Sequence, residues 1–390
     1  MKNNFFLFLL ISFQFQVRSQ IKSPKEFLGY ELGSEFSLHH QIVDYFKHLE
    51  SNSSKIKLVT YGKTNEGRLL QLAFISTEQN IKNLEEIRIN HLSNSGSNEG
   101  KKNENKSIVW LSYNVHGNES SSSEASLKTA YSLLTKHQDW LKDTIVIIDP
   151  CVNPDGRDRY VTFFKQNRSV PYDNNRDSRE HEEPWHSGRT NHYIFDLNRD
   201  WAWLTQIESQ KRIVQYNRWL PHIHVDFHEQ GINSPYYFAP AAKPYHEIIT
   251  DFQIDFQDAI GRNHAKYFDK NGWFYFTKQR FDLLYPSYGD TYPMFLGSIG
   301  MTYEQAGGGI AGLGVKNDEN LVLTLKDRIE HHYTTGISTV EMASKNRIQL
   351  NKNYQTFFSD KNLKYKNFVL EGDIYKINDL KDFLNKHQIK

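Results

Sequence analysis

Three stretches of the chain predict an α/β architecture built on a mainly parallel sheet. Ile108 to Ser112 and Ile145 to Ile148 are near-continuous apolar runs, as expected for strands buried on both faces of a parallel sheet. Between them Leu127, Ala130, Tyr131 and Leu134 recur at helical spacing, so the unit reads strand, loop, helix, strand. Farther on, Ile223, Val225 and Phe227 alternate with His224, Asp226 and His228, a strand with one apolar and one functional face.

Residues 1–19 carry Lys2, an apolar run from Phe5 to Phe13, and Val17-Arg18-Ser19 ahead of Gln20. This pattern is a secretory signal cut after Ser19, with an N-terminal core helix as the alternative. The run is too short to span a bilayer, and no later stretch has transmembrane character. The mature protein is therefore expected to be exported, to a periplasm or outside the cell. Cys151 is the only cysteine, which excludes an intrachain disulfide, and its distance from the signal does not indicate a lipid anchor. The 47 basic and 46 acidic side chains are intermixed and leave a net charge of +1, so neither nucleic acid nor an anionic membrane is implied as a partner.

In chain order, Phe36 to Leu49 has the apolar spacing of an amphipathic helix. Lys57 to Tyr61 and Leu69 to Ser76 form an antiparallel pair across a glycine-bearing turn, and the polar residues 93 to 106 form a surface loop. Ser121-Ser122-Ser123-Glu124 has a capping-box pattern at the start of the next helix. From Arg157 to Phe195 no period is sustained, which suits a functional lid or rim. Helices are predicted over Ile207 to Leu220, Tyr245 to Phe268 and Leu321 to Met342, and strands over Trp273 to Thr277 and Ile299 to Tyr303. After about Lys345 the texture becomes rich in Asn, Lys and Gln. Phe368-Val369-Leu370 followed by Leu380 to Leu384 reads either as the opening strand and helix of a shortened second α/β unit or as a docked tail.

The chemistry concentrates in three motifs. His116 and Glu119 lie three residues apart, and His228 follows about 110 residues later, a set that suits a zinc ion with one position open for water. His116 and Glu119 occupy the loop at the carboxyl end of a predicted central strand, where open α/β sheets place their ligands. Tyr303-Glu304 supplies a further carboxylate at the end of another strand. By contrast, His181-Glu182-Glu183-Pro184-Trp185-His186 is no zinc helix, because its second histidine comes one place late and Pro184 breaks the helix. His222 and His224 are expected on the solvent side or behind the ligands of the same strand, and His331-His332 at the surface.

His116-Gly117-Asn118-Glu119, Asn153-Pro154-Asp155-Gly156, Asp196-Leu197-Asn198-Arg199 and Tyr303-Glu304, in that order, resemble the zinc carboxypeptidase family, typified by the pancreatic carboxypeptidases. The string from Tyr61 to Arg68 resembles a stretch ahead of that family's first motif, and the likeness runs from about residue 37 to 342. The resemblance implies a mixed, mostly parallel central sheet of about eight strands with helices on both faces. It implies one zinc per chain held by His116, Glu119 and His228, with Glu304 activating the hydrolytic water. Asp196 corresponds to the carboxylate that holds His116 by its free ring nitrogen, which fixes the tautomer. Asn198 and Arg199 correspond to the pair that grips the substrate's terminal carboxylate, a task suited to a planar guanidinium. The arginine that stabilises the oxyanion aligns with Arg168, with Arg157 and Arg159 competing. The tyrosine over the substrate is Tyr285 or Tyr288, and Tyr285 aligns better.

The chain departs from the pancreatic pattern at Asp226-Phe227-His228-Glu229, where that pattern has Ser-x-His, and at the glycine-rich segment after Glu304. Both departures bear on specificity. The expected organisation is a signal over 1–19, a catalytic domain over 20–344 and an extension over 345–390. The expected activity is that of a metallocarboxypeptidase acting on peptides with a free C-terminal carboxylate. A zinc amidohydrolase of cell-wall peptides or acylated amino acids is the close alternative. A non-catalytic peptide-binding module is the distant one, and Glu304 argues against it because a pure binder needs no general base.

Overall fold

The computed structural model describes residues 20–96, 100, 106–359 and 367–389. The predicted signal and most of the predicted 93–106 loop lie outside the described residues. The strands of the main sheet, numbered in chain order, are β1 (Ile56–Lys63), β2 (Leu69–Ile75), β3 (Ser107–Tyr113), β4 (Thr144–Asp149), β5 (Ile223–Gln230), β6 (Tyr236–Tyr237), β7 (Tyr275–Phe276) and β8 (Ile299–Ala306). They form an eight-stranded sheet in the order β1-β2-β4-β3-β5-β8-β6-β7. The central run β4-β3-β5-β8 is parallel, while β1-β2, β2-β4 and β8-β6 are antiparallel. The sheet is thus mixed with a parallel centre, the architecture that the resemblance implied.

Period-two alternation divides the buried residues between two cores. Val109, Leu111 and Tyr113 of β3, Val146 and Ile148 of β4, and Ile223, Val225 and Phe227 of β5 pack into the larger core. On that side lie the helices His39–Asn52, Ser121–Thr135, Asp251–Asn271 and Leu325–Lys345. Ile108 and Trp110 of β3 and Ile145 and Ile147 of β4 point the other way and meet Ile213, Tyr216 and Trp219 of the helix Ile207–Trp219. The apolar runs are continuous because both faces are covered.

Several expectations change. The stretch from Arg157 begins inside a helix, Pro154–Asn167, which Asn153 caps by accepting from Gly156 N at 3.0 Å, with Pro154 in the first turn. Glu124 caps nothing: it is fully buried and accepts from Ser37 N and from Arg157 Nη2, both at 2.6 Å. The predicted Trp273–Thr277 strand is reduced to Tyr275–Phe276, and the long helix starts at Asp251 behind a Thr250/Gln253 capping box. His331 and His332 are not surface residues. His332 is buried against the Tyr236 hydroxyl at 2.8 Å, and His331 meets Gln305 at 2.6 Å, because this face of the helix packs on the sheet.

Phe368-Val369-Leu370 forms no strand and is exposed. The helix that follows, Ile374–Lys386, buries none of its residues. Just beyond it, His387 meets Ala202 O at 2.8 Å and the Tyr292 hydroxyl at 2.7 Å. Among the described residues no helix is long and apolar enough to cross a membrane.

Candidate functional site

The site is assembled at the carboxyl ends of β3, β5 and β8. β3 runs out at Tyr113 into a tight loop in which Asn114 takes a left-handed φ of 59°, a conformation that asparagine tolerates. The Asn114 amide Nδ2 donates to the carbonyls of His116 (2.6 Å), Gly117 (3.1 Å) and Glu119 (3.2 Å), which folds the loop inward. Arg157 supports it from below, donating to Asn114 Oδ1 and to Ser120 O, both at 2.9 Å. Gly117 is required for space, since a Cβ there would lie 2.2 Å from Arg157 N.

His228 enters from β5, and Glu304 from β8 is its register partner in the parallel ladder, so both side chains leave the same face of adjacent strands. His116, Glu119 and His228 are all buried and turn one ligand atom each toward a common point. His116 Nδ1 lies 2.8 Å from Glu119 Oε1 and 3.2 Å from His228 Nδ1, and His228 Nδ1 lies 3.0 Å from Glu119 Oε2. Nitrogens bound at 2.0–2.1 Å to one tetrahedral zinc sit about 3.4 Å apart, so the donor set and its spacing fit the ion.

Asp196 accepts from His116 Nε2 at 2.9 Å and shares its other oxygen with Arg189 Nη2, also at 2.9 Å. Burial alone would raise the Asp196 carboxyl, but the hydrogen bond and charge of His116, together with Arg189, hold it well below the usual carboxylate range. Glu304 goes the other way: burial pushes it up to about 8, with Glu119 and Asp290 adding to the rise and His228 and Arg189 opposing it.

A cleft of about 350 Å³ opens over these groups, lined among others by Arg189, Asn198, Arg199, Tyr288, Asp290 and Glu304. Arg199 stacks on the Tyr288 ring at 4.6 Å. Asn198 sits beside His228, its Nδ2 3.4 Å from Nε2. Of the two candidate tyrosines, Tyr288 lines the cleft, whereas Tyr285 accepts from Trp203 Nε1 at 2.9 Å and packs against the Tyr288 ring.

None of the three arginines proposed from sequence reaches the cleft. Arg168 is paired with Glu35 at 2.8 Å, Arg157 is buried against Glu124, and Arg159 donates to the carbonyls of Ser187, Thr190 and Asn191. Arg189, Arg199 and Arg280 line the cleft instead, and Arg189 bridges Asp196 and Glu119 Oε1 (3.2 Å). It lies in the irregular stretch before Asp196, where no spacing or pattern marks it. The decoy histidine His181 is structural, caught between the carbonyls of Asp173 and Ile310.

A comparison with curated protein sequences finds no significant match. Among solved structures, a metallo-carboxypeptidase from Burkholderia cenocepacia superimposes with a TM-score of 0.52 at 16% identity, over 77% of this chain and 68% of that one. Bovine thrombin-activatable fibrinolysis inhibitor, in complex with tick carboxypeptidase inhibitor, gives 0.52 at 14% identity, over 83% of this chain and 100% of that one. At these identities the likeness establishes the fold. The model of the zinc carboxypeptidase family matches residues 42–304, a span that runs from the first amphipathic helix to Glu304 and takes in the whole cluster described above. The chain belongs to the zinc carboxypeptidase family.

Proposed function

We propose that the protein is a zinc-dependent metallocarboxypeptidase that hydrolyses the C-terminal peptide bond of its substrates. The observation that carries this reading is the convergence of His116, Glu119 and His228 on one point with Glu304 on the neighbouring strand in register with His228. His116 Nδ1, His228 Nδ1 and the Glu119 carboxylate would hold zinc, which when bound polarises a carbonyl and lowers the pKa of water to about 7.

The remaining steps belong to the chain's own side chains. Glu304 takes the proton of the attacking water on a carboxylate oxygen as the C–O bond forms. It delivers that proton to the departing amine nitrogen as the C–N bond breaks. Glu304 lines the cleft on the strand beside His228, where both transfers would take place. Arg189 is the donor for the oxyanion in place of Arg168, since its guanidinium faces the cleft beside Glu119. Arg199 and Asn198 receive the substrate's terminal carboxylate, and Tyr288 covers it. The stacked Arg199 guanidinium is 44% exposed, which leaves N–H groups free for two parallel hydrogen bonds.

A digest of a peptide library with and without chelator, read by mass spectrometry, tests the reading. Stepwise loss of single C-terminal residues, abolished by chelator, is expected. Internal cuts, or hydrolysis that survives the chelator, would overturn it.

A further inference from the structure

We propose that Asp226 is a positioning residue for His228: its carboxylate keeps the imidazole proton on Nε2, so that Nδ1 is free to bind the metal. The proposal rests on the reading of His228 as a zinc ligand. His228 Nδ1 is the atom turned toward His116 Nδ1 and Glu119, so it must carry a lone pair. A neutral imidazole has one N–H, which must then sit on Nε2 and needs an acceptor.

Two groups lie near Nε2. Asn198 Nδ2 is 3.4 Å away, but Asn198 Oδ1 already accepts from Gly289 N at 2.9 Å. That bond fixes the amide with its NH2 toward the histidine, so Asn198 offers Nε2 no acceptor and by itself biases the ring toward the other tautomer, a bias that the Asp226 charge must outweigh. The other group is Asp226 Oδ2 at 3.8 Å. Asp226 is fully buried, and its Oδ2 has no hydrogen-bond partner, while Oδ1 is held at 2.8 Å by His224 Nε2. One carboxylate oxygen is thus anchored and the other is left facing the ligand histidine. At 3.8 Å the contact acts through charge rather than as a formed hydrogen bond. In a buried site of low dielectric it still favours the tautomer whose N–H faces the carboxylate.

Asp196 acts on His116 in the same sense, there through a formed hydrogen bond of 2.9 Å. It also gives a role to the aspartate that stands where the pancreatic pattern has serine, and to His224, which fixes the aspartate's rotamer. Gly289 closes the back of the pocket: a Cβ there would lie 1.6 Å from Asp226 Oδ2, so only glycine lets the carboxylate stay.

The test is Asp226→Asn, which preserves size and the bond from His224 but turns an NH2 toward Nε2. That amide favours the wrong tautomer, with the proton on Nδ1. Zinc affinity measured by chelator competition should fall about 10- to 100-fold with the circular dichroism spectrum unchanged. In zinc-free, 15N-histidine-labelled wild type, His228 should already carry its proton on Nε2. That second measurement decides the matter even if the variant does not fold. An Asn variant that binds zinc as tightly as wild type, or a wild-type proton on Nδ1, overturns the proposal. A wild type that takes up no zinc overturns the metal-site reading as well.

Discussion

Arg157 Nη2 and Glu124 Oε1 meet at 2.6 Å in an ion pair with no solvent exposure on either side chain. Leaving one charge of such a pair without the other costs roughly 3–5 kcal/mol. Arg157→Ala is therefore expected to lower the free energy of unfolding in urea by about that amount. Because the same guanidinium holds Asn114 Oδ1, the variant should also bind zinc more weakly.

Glu304→Gln removes the proposed proton carrier and leaves the three proposed ligands in place. Hydrolysis should fall at least about 100-fold, while zinc measured by atomic absorption stays near one per chain. A variant that keeps full activity would refute the general-base role.

Arg189 and Arg168 separate cleanly. Arg189→Ala removes the donor in the cleft and is expected to reduce kcat roughly 100- to 1,000-fold with a smaller change in KM. Arg168→Ala breaks only the contact to Glu35, and kcat/KM should stay within about twofold of wild type, since surface ion pairs contribute little.

Gly289→Ala forces a methyl group into the Asp226 carboxylate, with backbone unable to retreat far because Gly289 N is bonded to Asn198. Loss of zinc affinity together with a lower melting temperature is expected, by calorimetry with and without the metal.

His91 and His264 should each cost stability in mild acid. Burial pushes His91 down to about 4 and His264 to about 3, from an ordinary value near 6.5. Above 6.5 both folded and unfolded chains are neutral there. As pH falls, the unfolded chain takes up protons that the folded one refuses, so stability is lost between about 6.5 and the folded values. Each histidine accounts for roughly 2 kcal/mol between pH 6.5 and 5. Asp149 and Asp290, pushed up to about 7 by burial, have the opposite slope, so a single-site comparison isolates the effect. The unfolding free energy of His264→Gln should depend less steeply on pH than that of wild type.

The elements legible in the sequence were those whose signal is local. The runs in β3 and β4 and the alternation in β5 report directly on how many faces of a strand are covered, and the ligand motifs sit at strand ends, where spacing is short. What was illegible depended on distant partners. Glu124 looks like a cap because its partners Arg157 and Ser37 are brought to it by tertiary folding. His332 looks exposed until its helix is seen against Tyr236. Arg189 lies in a stretch with no period, so neither spacing nor pattern could distinguish it from Arg168, and Tyr288 differs from Tyr285 only in which way the loop turns. At Phe368-Val369-Leu370 three apolar residues suggested a strand, but they are exposed and form none.

The proposed metal centre draws on the ends of β3 and β5 through His116, Glu119 and His228 and on β8 through Glu304, and these are neighbours only in the finished sheet. Glu119 and His228 are 109 residues apart, so closing that loop precedes any tight binding. A chain emerging from synthesis or refolding from denaturant thus presents isolated histidines, not a chelate. Zinc uptake becomes a clock for the last step of sheet assembly: a fluorescent zinc indicator should report metal capture at the rate of folding and independent of zinc concentration, once the ion is in excess.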